Sequence, residues 1–274
     1  MTPNRANNGF KPLTYTQGYL PLEDYGLIGD GSTAALVGRD GAVAWLCIPR
    51  FDSQPLFASI LDATIGGSFV VRPDGLRAAR QYYEPDTAVL VTEMLTDTGS
   101  LRLTDGLLLR TGSNLAEDAP AGRGEMGRAV EVLSGEVRLQ VELEPRGGAV
   151  IERMGGGFEI RGPDLPGLNL HLSSDPPLEG LPGTLALAAG EQVEMRLRWD
   201  NRSHRFQPLA VHELHQETKR AWRHWLRDFS YEGSVGSGEY RLDLLVILNS
   251  CTERLDRKYL RLLIRTARRQ RGAR

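Results

Sequence analysis

The chain has 274 residues, of which 41% are hydrophobic and 25% charged, with 31 glycines and 15 prolines. These values exclude a mini-protein and a wholly disordered chain, and they favour many short elements joined by turns over a few long helices. The net charge of −2 hides an asymmetry: Leu255 to Arg274 carries eight basic residues against Asp256 alone, a charge of +7 that leaves −9 for the rest.

Two cysteines, Cys47 and Cys251, are too few for a disulfide framework. Residues 1–11 are polar and lack the apolar stretch of a signal peptide, and the run Leu244 to Leu248 is far too short to span a bilayer. The expected location is the cytoplasm, with no membrane partner.

In chain order the body reads as hairpins. Thr33–Val37 and Ala42–Ile48 flank an Asp40-Gly41 turn, and Val89–Leu95 and Ser100–Thr104 flank Asp97-Thr98-Gly99. Ala129–Leu133 is expected to turn at Ser134-Gly135 into Val137–Glu144, whose alternation gives one wet and one buried face. Ala149–Arg153 and Phe158–Arg161 flank three glycines, and Leu168–Leu172, Thr184–Leu187 and Val193–Trp199 follow. Roughly ten to fourteen short strands with almost no helix between them predict a large antiparallel sandwich. Asp52-Ser53 is expected to cap a short helix over Leu56 to Leu61. Helical periodicity starts near Leu209, where Leu214, Thr218, Ala221, Trp222, Trp225 and Leu226 form one apolar stripe. Tyr231 to Gly238 reads as a linker, and helical periodicity resumes from Tyr240.

Few constellations carry chemistry. His212-Glu213-Leu214-His215 has its second histidine one residue too early for H-E-x-x-H, so a solvated helix face is expected and no metal. Cys47, inside an apolar strand, reads as a small core residue. No nucleophile elbow, Walker loop or dinucleotide fingerprint occurs, and no cofactor is expected. Asp24, Asp30 and Asp52 read as turn and cap residues.

Several blocks nevertheless stand in a telling order. They are Glu23-Asp24-Tyr25-Gly26-Leu27-Ile28-Gly29-Asp30, Thr33-Ala34-Ala35-Leu36-Val37, and Trp45-Leu46-Cys47-Ile48-Pro49-Arg50-Phe51-Asp52-Ser53. Further along come Tyr83-Glu84-Pro85-Asp86-Thr87, Val130-Glu131-Val132-Leu133-Ser134-Gly135, and Trp222-Arg223-His224-Trp225-Leu226. Over about residues 19 to 233 the chain resembles the N-terminal part of bacterial and archaeal glycoside hydrolase family 15 proteins, the glucoamylase- and trehalase-like enzymes. The resemblance implies a mostly β protein: a flexible N-terminus over 1–18, an antiparallel β-supersandwich over 19–206 and a linker helix over 207–233. Residues 234–274 would then be the remnant of a first barrel helix followed by a basic helical tail.

In that family two glutamates of a C-terminal (α/α)6 barrel hydrolyse an α-glucosidic bond with inversion. No residue here matches a barrel motif, so no catalytic residue is assigned, and the chain alone is expected to be inactive. The resemblance implies a non-catalytic domain, in a fragment or truncated form, of an enzyme acting on trehalose, dextrins or starch-type oligosaccharides. An α-glucoside would be met only together with a barrel domain. Arg50, Phe51, Asp52, Trp222 and Trp225 are the candidates for the interdomain face or pocket rim. No nucleic-acid partner is expected.

Interdomain faces bury about 600–1,500 Å². An apolar face is therefore expected around Phe51, Leu56 and Phe57 and along the Trp222–Trp225 side of the helix, with self-association through it. The alternative is a free-standing carbohydrate-binding β-sandwich module. With Trp45 in a core strand and Trp222 and Trp225 on the helix stripe, only Trp199 is left for an aromatic platform.

Overall fold

The computed structural model describes residues 9–115, 121–162, 167–199 and 210–227. Cys251, the linker and the basic tail lie outside the described residues. The rest is antiparallel β structure with one long helix, as the hairpin pattern predicts.

The strands pair into one curled sheet that folds over into two layers. In the first layer the chain enters as β1 (Lys11–Pro12), which lies on the edge beside β7 (Ala78–Tyr83). Then come β8 (Leu90–Leu95), β9 (Gly99–Leu109) and the first half of β10 (Gly122–Glu144). Beyond β10 the layer continues through β15 (Gln192–Arg198), β13 (Leu170–Asp175), β12 (Gly157–Arg161) and β11 (Val150–Met154). The second layer runs from β14 (Gly183–Ala188) through the second half of β10 to β6 (Ser68–Pro73). It ends in β4 (Ala42–Cys47), β3 (Ala34–Gly38) and β2 (Tyr25–Gly29), with β5 (Pro55–Phe57) also paired to β4.

Ser134-Gly135 is not a hairpin turn. β10 continues through it without ending, pairing with β9 and β15 before the bend and with β6 and β14 after it. The reason is local: Gly135 sits at φ +68° opposite Gly99, and a Cβ on it would lie 2.0 Å from the Thr98 carbonyl oxygen. Two facing glycines let the backbones approach and the strand bend without ending. β14 and β15 follow the same bend on the other side, joined through Ala189–Glu191.

Leu56 begins no helix. Leu56 and Phe57 are buried in β5, where Pro55 and Phe57 pair with Cys47 and Leu46, because the open side of β4 offers those backbone groups partners. The following loop closes on itself: Ala58 N–H donates to the Gly66 carbonyl, and Asp62 Oδ1 accepts from the Thr64 and Ile65 amides.

One buried charge pair joins the layers. Arg128 on β10 donates to Asp105 Oδ1 on β9 at 2.8 Å, and both side chains are wholly buried. The same guanidinium reaches across to the Phe69 carbonyl of β6 (2.7 Å) and the Gly41 carbonyl (2.8 Å), and stacks over the Phe69 ring. Around it pack Val71, Leu103, Leu107, Val130, Leu139 and their neighbours from both layers.

The helix α1 (Val211–Leu226) lies on the outer face of the first layer. No side chain of its own caps it; instead the Glu194 carboxylate of β15 accepts the Val211 and His212 amides at 2.7 and 2.9 Å. A carboxylate there also faces the positive end of the helix dipole. Thr218 Oγ1 accepts the Leu109 amide.

His215 departs from the expected solvated face. It is 3% exposed, and its Nε2 donates to the Gly127 carbonyl at 3.2 Å. Gly106 and Gly127 make the seat: a Cβ on Gly127 would come within 2.8 Å of Val211 Cγ1 and 3.0 Å of His215 Nε2. Gly127→Ala is therefore expected to loosen α1 from the sheet while leaving the sandwich folded. Faster amide exchange confined to α1 would show it.

Candidate functional site

Four segments of the sandwich and the C-terminal half of α1 meet at one end of the domain. The β2–β3 turn, residues 30–33, is tied to the segment after β4: Phe51 N–H donates to the Ser32 carbonyl at 3.0 Å, and Thr33 Oγ1 donates to the Cys47 carbonyl. The same turn touches the start of β10, since a Cβ on Gly122 would fall 2.2 Å from Asp30 Oδ2. The β7–β8 turn joins through Tyr83, whose hydroxyl bonds both the amide and the carbonyl of Leu27.

Helix α1 arrives at this end and is fastened there. Lys219 Nζ sits 3.1 Å from Glu84 Oε1, and Arg223 Nε donates to the Pro85 carbonyl. Ala88, Leu109, Leu115, Ala121, Ala221 and Trp222 form a second, smaller core, with Leu27 and Trp225 against it. Leu226 closes it by packing with Tyr83 and Trp225.

The five candidate residues divide into two groups. Arg50, Phe51 and Asp52 stand exposed on the segment after β4, with Phe51 42% exposed. Arg50 Nε and Asp52 Oδ1 pair at 3.1 Å, an exposed bridge that contributes little stability.

Trp222 is wholly buried, and Trp225 is half-buried with its ring edge-on to Trp222 at 5.6 Å. These two belong to the joint between helix and sandwich. The apolar face expected along that side is spent on the domain's own sheet, and Leu56 and Phe57 are in the core as well. Trp199 is also buried, at 2% exposure, while Trp45 is half-buried.

Of the three acidic residues expected at turns and caps, Asp30 holds one, whereas Asp24 pairs with Arg39 and Asp52 with Arg50. Asp30 is 1% exposed, and its Oδ1 accepts the Ser32 and Thr33 amides at 2.9 Å each. Burial pushes its carboxyl up to about 6, against the pull of those amides. Asp24 forms a bidentate pair with Arg39, whose guanidinium also donates to the Lys11 and Ala79 carbonyls and so holds β1 to β7. Lys11–Pro12, within the stretch expected to be flexible, is thereby laid on the sheet. Among the described residues no three His, Cys, Asp or Glu side chains gather as metal ligands. Cys47 is a free thiol in the core, raised in pKa by burial.

Reasoning from the sequence missed the Asp105–Arg128 bridge, the Glu84–Lys219 tie and the burial of His215. The only trace that Arg128 leaves is an arginine directly before the alternation that starts at Ala129.

The trehalase-like N-terminal family matches this chain over residues 14–222, from just after β1 to Trp222 of α1. The chain belongs to that family. This trehalase-like N-terminal domain is 28% identical over 246 residues to a trehalase of Thermoplasma volcanium, covering 81% of this chain and 36% of that protein. It is 30% identical over 250 residues to the trehalase of Mycolicibacterium smegmatis, covering 78% of this chain and 36% of that protein. To the trehalase of Mycobacterium tuberculosis it is 28% identical over 236 residues, with 75% and 34% covered. The chain thus spans about a third of the length of the curated relatives it matches. No helix among the described residues is long and apolar enough to cross a membrane.

Proposed function

We propose that this chain is the non-catalytic β-domain of a trehalase-type glycoside hydrolase of family 15, working beside a separate catalytic barrel. The observation that carries the reading is the placement of the exit of α1. Arg227, the described residue just after the helix, follows Leu226 against Tyr83, at the same end of the sandwich that exposes Arg50, Phe51 and Asp52. In the relatives the unmatched length is far larger than the domain itself. A domain that follows α1 starts beside this end, and the Arg50-Phe51-Asp52 segment is the side-chain cluster placed to meet it.

The substrate of the assembled protein is an α-glucoside, with trehalose the first to test. The domain contributes no acid or base to the reaction; it shapes the mouth of the sugar pocket and shields it from water. The purified chain is expected to release no glucose from trehalose. Mixed with the part of the M. smegmatis trehalase that it does not span, it is expected to bind and to raise trehalose hydrolysis. Glucose release by the chain alone, or no binding to that part, overturns the reading. A free-standing carbohydrate-binding module is the weaker reading, because the described tryptophans offer no exposed platform: Trp199 and Trp222 are buried, and Trp45 and Trp225 are half-buried.

A further inference from the structure

The β2–β3 turn joins a buried acid to the exposed ring of Phe51 by a short chain of bonds. Asp30 Oδ1 accepts the Ser32 and Thr33 amides, and the Asp30 amide donates to the Thr33 carbonyl. The Ser32 carbonyl in turn holds the Phe51 amide at 3.0 Å. The other carboxyl oxygen lies hard against Gly122, so the group has no room to swing away from the turn. Within the turn the Ser32 hydroxyl is buried and has no hydrogen-bond partner.

We propose that Asp30 is the positioning residue of the rim, acting through the Ser32 carbonyl on Phe51, so that one proton alters how Arg50, Phe51 and Asp52 meet the catalytic partner. A carboxylate is a stronger acceptor for two amides than a neutral carboxyl. On protonation the amides of Ser32 and Thr33 are held less tightly, and the new hydroxyl needs an acceptor inside the turn. Gly122 blocks adjustment on its side, so the turn itself yields, and the Ser32 carbonyl carries the change to Phe51.

The charged groups on the packed elements do not hold the carboxyl. Arg50 pairs with Asp52, Arg123 pairs with Glu125, and the influences on Asp30 are burial and backbone amides. Its position near 6 places the exchange in an accessible range. The partner half of this inference rests on the rim reading above; the coupling of Asp30 to Phe51 is a property of this chain alone.

The test is an NMR titration of the full chain, following the Phe51 amide and the Asp30 carboxyl together. The two midpoints are expected to coincide near 6. The Phe51 change should vanish in Asp30→Asn and persist in Asp52→Asn, which removes the neighbouring carboxyl. A flat Phe51 amide, or a midpoint that survives Asp30→Asn and disappears in Asp52→Asn, overturns the proposal. If Asp30→Asn fails to fold, agreement or disagreement of the two wild-type midpoints decides.

In a second arm the chain is titrated with the separately produced remainder of the M. smegmatis trehalase, once circular dichroism and cooperative melting show that remainder to be folded. Its affinity should vary with pH in the wild type and not in Asp30→Asn. Binding with the same pH dependence in both overturns the positioning role and spares the rim. Absence of binding with an intact Phe51 titration overturns the rim and spares the coupling.

Discussion

Arg128→Ala is expected to cost the domain about 3–5 kcal/mol, the range for removing one partner of a buried ion pair. Asp105 would be left charged or protonated in a core from which water is excluded, since both side chains are wholly buried. Burial already pushes its carboxyl upward, and the adjacent guanidinium is what opposes that push. The Phe69 and Gly41 carbonyls would lose their donor too, each an acceptor that the sandwich interior does not replace. Since single domains have about 5–15 kcal/mol in total, the variant should stand at the edge of unfolding. Urea denaturation would read the loss directly. The double variant Asp105→Leu with Arg128→Met should recover much of it, because apolar residues of similar volume spare the core an orphaned charge. A single variant with an unchanged midpoint would show that the pair does not join the layers.

The second large effect is a pH dependence that two buried groups hide from each other. Asp30 titrates near 6 when folded and near 3.8 in its ordinary state, so between those values the folded chain holds the extra proton and stability falls as pH rises. His215 runs the other way. Burial, with Lys219 and His212 nearby, lowers it from 6.5 to about 4 against the hydrogen bond to Gly127. Between those values the unfolded chain holds the extra proton, so stability rises with pH. At about 1.4 kcal/mol per unit, each group contributes about 1–2 kcal/mol between about pH 5 and 7.5, with opposite sign.

As far as these two groups decide it, the wild type should be nearly flat across that range. The lowered His171 adds to the slope of His215, and the raised Asp105 to that of Asp30. Asp30→Asn should become less stable on acidification, and His215→Gln more stable. Unfolding free energies at the two pH values settle both signs. The window stops short of Glu93, whose burial is outweighed by hydrogen bonds from Arg80, Tyr82 and Arg102 and whose carboxyl lies below its ordinary 4.5.

The layered β architecture and the helix were legible in the sequence because both rest on local periodicity. Asp40-Gly41 and Asp97-Thr98-Gly99 announce their hairpins, and the stripe from Leu214 to Leu226 announces α1. What failed was the distinction between a turn and a bend. Ser134-Gly135 has the composition of a hairpin, and only the distant Gly99 makes it a crossing point. The stretch Leu56 to Leu61 failed for a related reason: a short apolar run takes strand or helix according to whether a neighbour offers an open edge, and β4 does.

At the site, Arg50, Phe51 and Asp52 are exposed, which is a condition of the interdomain-face or pocket-rim reading and no test of it. Trp222 was read by type as a contact for another domain, but a large ring on an amphipathic stripe is just as well satisfied by the protein's own sheet. Local pattern fixes which side of a helix is apolar and not which surface covers it.

The bend in β10 also governs how the domain comes apart. Glu144 lies opposite Ser68, Gly135 opposite Gly99 and Glu136 opposite Ala188, so one strand is the partner of segments both far before and far after it in the chain. Neither layer is a portable half. A cut near Ser134 would leave each piece with a raw strand edge and half a core, and proteolytic nicking there should dissolve both layers at once. Assembly is equally undivided, since pairings that distant close late and slowly. During synthesis β6 and β9 must wait, unpaired on the sides that β10 will occupy, until the strand that unites them has emerged.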